Sequence, residues 1–289
     1  MVILVTGANG QVGQAIQHIS KHYPAFVFYF SGSDEGDVTD KIKLASLFSK
    51  VGPSFCINAA AYTAVDRAES EPEKAALINI EGARNVAEAC MEANCTLIHI
   101  STDFIFDGTK SEPYTEEDLP NPQSVYGRTK LAGEREIQQI LTNYYIIRTS
   151  WVYSQFGSNF MRTMLRLASE RDSISVVDDQ IGTPTNAIDL AEAIVKIIEL
   201  ETLNLEHRAM SHFGIYNFSN EGQCSWYDFA AAIFDTNHIK VDLQPIATMD
   251  FPTAARRPAY SVLSKDKVTA AFGLSIPDWS RSLARVSGR

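Results

Sequence analysis

Positive charge is in short supply in this chain. Lys and Arg number 25 against 35 Asp and Glu, a formal net charge of −10. That balance argues against nucleic acid and anionic membrane as main partners. It does not exclude a phosphorylated ligand, which needs only local donors and a few Arg or Lys. Cysteine is scarce as well. Cys56, Cys90, Cys95 and Cys224 form no C-x-x-C pair. Cys56 lies in a strand-like run and Cys90 in a helix-like one, so buried, reduced thiols are expected. No apolar run approaches the length of a membrane span. The chain opens directly on a strand, with no basic segment and apolar stretch before it, so no secretory signal is expected. Internal repeats and low-complexity tracts are absent. The expectation is a soluble cytoplasmic protein.

What is present is an alternating pattern. Hydrophobic residues make up 45% of the 289 positions, ample for a core, and the length suits two domains or one large α/β domain with an appendage. Strand-like runs at Val2–Val5, Phe26–Phe30, Phe55–Asn58, Thr96–Ile100 and Tyr145–Arg148 alternate with helix-like segments at 11–22, 41–50, about 73–93 and about 124–141. This rhythm predicts a Rossmann-type, doubly wound parallel sheet with helices on both faces. It changes after Trp151. A helix at about 158–170 precedes a strand at Ser173–Val177 and the loop D-D-Q-I-G-T-P-T, and 187–200 reads as one more sheet-covering helix. From about 220 the chain has short helices, many Pro and no repeated βα unit. The expected organisation is a dinucleotide-binding domain at 1–150, completed by about 185–218. A smaller α/β substrate lobe is expected from 151–184 and 219–289.

Gly7, Gly10 and Gly13 form G-x-x-G-x-x-G between the first strand and first helix. Glycines there permit a tight turn and a close backbone approach to a pyrophosphate, which the helix N-terminus then meets with free N–H groups. An acid at the end of the second strand would hold an adenosine 2′-hydroxyl and mark NAD. This strand ends Phe30-Ser31-Gly32-Ser33, with Asp34 and Glu35 later and no Arg nearby. NADPH is favoured, and NADH stays open. Asp37, in G-D-V-T-D, is either an adenine-side contact or part of a helix cap. After the third strand, Asn58-Ala-Ala-Ala-Tyr62-Thr63 offers a floor without bulky side chains, for a cofactor to lie on or as a packing seam.

Ser101-Thr102-Asp103 follows the fourth strand, and Tyr126 and Lys130 lie four residues apart in Y-G-R-T-K. Positions i and i+4 share a helix face. A Lys ammonium beside the phenol is expected to lower the Tyr pKa from about 10 and make Tyr126 a usable general acid. Lys130 can also reach a nicotinamide ribose, and the Thr102 hydroxyl can bond a substrate oxygen. Y-x-x-x-K is unremarkable alone. With the glycine fingerprint and the S-T-D strand end it points to carbonyl reduction by a nicotinamide cofactor. Asn79, in the preceding helix, either shapes this site or packs.

These residues resemble the extended short-chain dehydrogenase/reductase superfamily. Within it, the blocks G-A-N-G-Q-V-G, N-A-A-A-Y-T-A-V-D-R-A-E, S-T-D-F-I-F-D-G, Y-G-R-T-K-L-A-G-E, R-T-S-W-V-Y, N-F-M-R-T-M, D-D-Q-I-G-T-P-T and A-R-R-P-A-Y-S resemble the dTDP-4-dehydrorhamnose reductase family across essentially the whole chain. The resemblance implies reduction of dTDP-4-dehydro-β-L-rhamnose to dTDP-β-L-rhamnose with NADPH, the last step of activated rhamnose synthesis for surface polysaccharide. It implies Tyr126 as proton donor, Lys130 as its partner and Thr102 as the hydroxyl that tunes the site. Gly10, Gln11 and Val12 are implied on the pyrophosphate side, with Asp37, Val38, Ala61, Tyr62 and Thr63 as further cofactor contacts. Thr102, Asp103 and Trp151 are implied as sugar contacts. Asn159 and the pair Arg256 and Arg257 lie in the second lobe. A diphosphate calls for a guanidinium fork; Arg256 is assigned to it, with Arg257 the open alternative.

Some members of that family are described as metal-linked dimers held by carboxylates. The first helix here has Ala15 and no acid on its opening turn, which argues against a metal bridge. A need for Mg2+ stays open, as does monomer against homodimer. Two rivals share the scaffold. A nucleotide-sugar dehydratase needs an acid pair after the Thr, and here Asp103 is followed by Phe104; an epimerase would retain tightly bound NAD. The other rival is a non-catalytic regulatory subunit, like the β subunit of methionine adenosyltransferase, which resembles this family.

Overall fold

The computed structural model describes residues 1–207 and 212–286, and of 204–207 the backbone alone. Residues 208–211, within the expected 185–218 segment, and 287–289, at the end of the expected second lobe, lie outside the described residues. The first half is built from β1 (Val2–Thr6), α1 (Gln11–Ser20), β2 (Val27–Ser31), α2 (Lys41–Val51), β3 (Phe55–Asn58), α3 (Val65–Ala68), α4 (Pro72–Ala76), α5 (Gly82–Glu92), β4 (Thr96–Thr102), α6 (Val125–Ile140) and β5 (Tyr144–Thr149). Then come β6 (Val152–Tyr153), α7 (Phe160–Glu170), β7 (Ser173–Val177), β8 (Ile181–Gly182), β9 (Thr185–Asn186) and α8 (Ala187–His207). The chain continues with β10 (Gly214–Asn217), β11 (Cys224–Ser225), α9 (Trp226–Thr236), β12 (Asp242–Ile246), α10 (Asp266–Phe272) and α11 (Trp279–Val286).

Six strands form one sheet in the order β10-β5-β4-β3-β1-β2, every pairing parallel. The side-chain period of two sorts the strands' apolar residues onto both faces. Ile3, Val5, Ile57, Ile98 and Ile147 pack with α1 and α8. Leu4, Cys56, Leu97 and Ile146 pack with α2, α5 and α6. From β1 the chain runs one way to β2 and then back past β1 to β3, so the connections diverge there. In a doubly wound sheet that point opens a ligand crevice beyond the strand carboxyl ends.

Local signals fix the helices that matter. The Ser124 hydroxyl accepts from Gly127 N and caps α6. Tyr126, Lys130, Gly133 and Ile137 then fall on its buried face. The expected single helix at 73–93 is interrupted: between α4 and α5 a π-helical turn spans Leu77–Glu81. Asn79 explains its place. Its side chain accepts from Tyr62 N and donates to Tyr62 O and the Thr129 hydroxyl, tying the loop after β3 to α6. A third core joins Tyr153 of β6, Met161 and Met164 of α7, Ile174 of β7, Phe229 and Ile233 of α9 and Leu283 of α11, with β7 paired in parallel to β12. Val268 and Phe272 of α10 instead pack into the main-sheet core. No described helix is long and apolar enough to cross a membrane, and all four cysteines are buried and free.

Candidate active site

A cavity of about 610 Å³ opens at the carboxyl ends of β1, β3, β4 and β5, within the size range of small-molecule sites. One wall is the turn after β1. Gly7 has φ 67°, and a Cβ on Gly13 would come 2.5 Å from Ala8 Cα, so the strand-to-helix turn closes only with glycine. Gly10 precedes α1 without a side-chain cap, leaving the helix's first N–H groups open at the cavity. The next wall is the loop after β3, where Ala59, Ala61 and Thr63 present small side chains. This open helix end and smooth floor fit an extended dinucleotide phosphate chain.

Thr102, Asp103, Tyr126 and Lys130 line the same cavity. All four are buried, and burial governs their chemistry. It pushes the Tyr126 phenol up to about 12, against a hydrogen bond from Thr102 that lowers it; the Asp103 carboxylate adds to the rise. Burial lowers Lys130 to about 8, with Glu134 opposing. It raises Asp103 to about 6 against the Ser261 and Thr102 hydroxyls, and Asp103 Oδ2 has no hydrogen-bond partner. The expectation that Lys130 lowers the Tyr126 pKa is therefore corrected. Lys130 Nζ donates to Ile100 O at 2.7 Å and lies 3.2 Å from His99 Nε2. The ammonium is bound to β4, and desolvation dominates at the phenol. Tyr126 remains protonated through neutral pH.

The frame around these groups is rigid. Glu134, one turn past Lys130, forms a buried ion pair with Arg148 at 2.8 Å and accepts from the Ser101 hydroxyl at 2.5 Å, pinning α6 to β4 and β5. Asp66 of α3 pairs with Arg257 at 2.7 Å, and the Arg257 hydrogen bonds hold the Asp66 carboxyl below its usual range. Two blocks singled out in the sequence, V-D-R-A-E and A-R-R-P-A-Y, thus meet at the cavity wall.

Of the expected cofactor-side residues, Gly10, Gln11, Val12, Ala61 and Thr63 line the cavity along with Tyr126 and Lys130. Gly7 and Gly13 shape the turn from behind. Asp37 folds its carboxylate onto Thr39 N and Oγ1, Val38 is buried against Gly82, and the Tyr62 hydroxyl is bound to Glu71; none of the three lines the cavity. Of the expected sugar-side residues, Thr102, Asp103 and Trp151 line it. Asn159 caps α7 and spends its amide on Gln11 Oε1, Ser154 O and Phe156 O. It therefore braces the wall that Gln11 forms. Arg256 is exposed, whereas Arg257 lines the cavity.

Three contributors were not anticipated. Trp226 stacks on Trp151 with ring centroids 3.5 Å apart and planes 10° from parallel, and both line the cavity. Gly182 backs the indole: a Cβ there would sit 2.5 Å from Trp151 Cε2. His99 lies behind Lys130. D-D-Q-I-G-T-P-T reads as a loop in sequence; only the fold places Gly182 in a short strand, where a glycine marks close approach. Among the described residues no group of three or more His, Cys, Asp or Glu is gathered to hold a metal ion.

A doubly wound parallel sheet with a glycine turn after β1 and a buried Tyr-Lys pair after β4 defines a reductase scaffold of the short-chain dehydrogenase/reductase type. Solved UDP-glucose 4-epimerases share the fold at 20% identity, the one from Thermus thermophilus with a TM-score of 0.77 over 99% of each chain. The chain belongs to the dTDP-4-dehydrorhamnose reductase family: the family model described as RmlD substrate binding domain matches residues 1–289. It is 40% identical to a dTDP-4-dehydrorhamnose reductase of Aggregatibacter actinomycetemcomitans, covering 98% of this chain and 97% of that one. The Escherichia coli K12 reductase is 38% identical, over 99% and 97%. The Bacillus anthracis reductase, solved in complex with NADP, superposes with a TM-score of 0.91 at 39% identity, covering 99% and 98%.

Proposed function

We propose that this chain reduces the C4 ketone of dTDP-4-dehydro-β-L-rhamnose to dTDP-β-L-rhamnose with NADPH, in the cytoplasm. The observation that carries the reading is the convergence of Tyr126, Thr102, Asp103 and Lys130 on one cavity with the Gly10–Val12 turn and the Ala59–Thr63 loop. NADPH, when bound, supplies the hydride. The residues that would hold it are Gly10, Gln11 and Val12 at the phosphates, Ala61 and Thr63 along the floor, and Lys130 at the ribose.

Tyr126 protonates the developing alkoxide at C4. Its elevated pKa keeps the proton in place until the oxygen becomes the stronger base. The O–H bond of Tyr126 breaks, the alkoxide gains the proton, and the phenolate left behind accepts a hydrogen bond from Thr102, with Lys130 one turn along the same helix face. Thr102 orients the sugar oxygen. The stacked pair Trp151 and Trp226 supplies a flat apolar wall for the sugar. Arg257, not the exposed Arg256, is the candidate for the diphosphate.

The two expected lobes follow this division of labour. Residues 1–150 with 185–218 would bind cofactor; 151–184 and 219–289, which contribute Trp151, Trp226 and Arg257 to the cavity, would select the nucleotide sugar. Tyr126→Phe tests the reading. NADPH affinity should be retained and kcat should fall on the order of 100- to 10,000-fold. Activity close to that of the unmodified enzyme removes Tyr126 from the proton-donor role.

A further inference from the structure

His99 is buried in β4 with hydrogen-bond partners on both ring nitrogens. Asn58, at the end of β3, fixes which nitrogen carries the proton. Its Oδ1 accepts from Ala60 N at 3.2 Å and from the Thr6 hydroxyl at 2.8 Å. A backbone N–H can only donate, so the amide is oriented with Nδ2 toward His99 Nδ1, 3.1 Å away. Nδ2 also can only donate. His99 Nδ1 must then present a lone pair, and a neutral ring in that state has its proton on Nε2. Nε2 lies 3.2 Å from Lys130 Nζ, which already donates to Ile100 O. An Nε2 proton and an ammonium proton oppose each other across that contact, whereas an uncharged amine accepts the Nε2 proton.

We propose that His99 is a positioning residue for Lys130: Asn58 holds it in the Nε2–H tautomer, so that the protonation of Lys130, the tautomer of His99 and the amide orientation of Asn58 form one linked state. Taking up a proton on Lys130 favours moving the His99 proton to Nδ1 and turning the Asn58 amide, which sacrifices its bond to Ala60 N. The β3–β4 seam thereby makes the ammonium harder to form than burial alone would. The proposal rests on the reading of Tyr126 and Lys130 given above and adds what sets the state of the lysine.

The charged and titratable groups around the pair are few. Glu134 on α6 favours the ammonium, but is itself committed to Arg148 of β5 and Ser101 of β4. Tyr126 shares the α6 face, and Asp103 lies beyond it at the end of β4. On the sheet side, His99 meets the neutral Asn58–Thr6 relay. Burial and the nearby Lys130 charge both keep the imidazole neutral.

The test has two parts. In the 15N NMR spectrum of the ligand-free protein, specifically labelled at His, the His99 ring should carry its proton on Nε2 at alkaline pH, where Lys130 is an uncharged amine, and shift it toward Nδ1 as Lys130 takes up its proton. A proton on Nδ1 at alkaline pH, or a tautomer that does not respond to the lysine's titration, overturns the proposal, and this reading needs no turnover. In the second part, kcat is followed against pH. His99→Gln gives Lys130 an acceptor in place of an opposing donor, and Asn58→Asp turns His99 to the Nδ1–H form. Each should move the alkaline limb of kcat upward by about one pH unit; an unmoved limb overturns the proposal. A merely structural role would lower Tm and rate without moving the limb. If Lys130→Met and Tyr126→Phe stay active, the parent reading falls instead, while the tautomer result still decides the linkage.

Discussion

Gly182→Ala is the smallest change that separates sugar recognition from cofactor binding. Gly182 lies in β8 and does not need a positive φ, so alanine is acceptable to the backbone. The added methyl is not acceptable to Trp151. It would stand 2.5 Å from Cε2, 2.6 Å from Cζ2 and 2.8 Å from Nε1 of the indole, where ordinary contact begins at 3.4 Å. The ring must retreat by about 0.9 Å, and Trp226, stacked on it at 3.5 Å, restricts the retreat. Overpacking of this kind costs about 1–3 kcal/mol, and a wall displaced by about 1 Å can lower turnover on the order of 100-fold. Steady-state kinetics with the dTDP-keto sugar should show kcat/KM reduced on the order of 10- to 100-fold, while fluorescence titration gives a nearly unchanged Kd for NADPH. In a Trp151→Ala background the same methyl has nothing to displace, so the second substitution should add little. Unchanged sugar kinetics in Gly182→Ala, or equal weakening of both ligands with a large fall in Tm, refutes the assignment of Trp151 to the sugar wall.

NADPH should be used at least as efficiently as NADH. Of the two acids that could fold back toward the end of β2, Asp34 and Glu35, Glu35 is held by Tyr29 and Lys50 at 2.6 and 2.8 Å, and the Asp34 carboxylate lies beside Gly32. A kcat/KM for NADH more than about tenfold higher would show that an acid reaches the ribose after all. Glu134→Gln leaves Arg148 buried without its counter-charge, and should destabilise the fold by about 3–5 kcal/mol, lowering Tm by roughly 10 °C; an unchanged Tm contradicts the pinning role. Asp103 titrates near 6 in the fold against an ordinary 3.8. Between those values the folded state holds more protons than the unfolded chain, so this residue's contribution to stability falls as pH rises through that window, by about 3 kcal/mol in all. Asp103→Asn should remove that pH dependence from the Tm profile, and a profile unaltered by the substitution argues against the raised pKa.

The fold was legible in the sequence wherever one local signal sufficed. Alternating apolar runs and the glycine turn each encode a strand or a phosphate-facing turn within a few residues. The break at Leu77–Glu81 was not legible, because it arises from Asn79 bonding Tyr62 and Thr129, partners 17 and 50 residues away. The pairing of Trp151 with Trp226 spans 75 positions and leaves no mark on either neighbourhood. Arg257 rather than Arg256 lies on the cavity wall, where it pairs with Asp66 across 191 positions, a contact that neither neighbourhood in the sequence announces. The protonation of the site was the least legible part. Spacing placed Lys130 on the face of Tyr126, but only the fold reveals that burial dominates at the phenol, and that Lys130 Nζ is bound to Ile100 O and faces His99.

The most direct measurement is a coupled assay. dTDP-glucose is converted by a dehydratase and an epimerase to the keto sugar, and this protein is added with NADPH. Stoichiometric loss of NADPH absorbance is expected, with a product identified by NMR as dTDP-β-L-rhamnose and both signals lost in Tyr126→Phe. Accumulation of unreduced keto sugar with the wild-type chain, at NADPH concentrations that saturate binding, would contradict the proposed reduction.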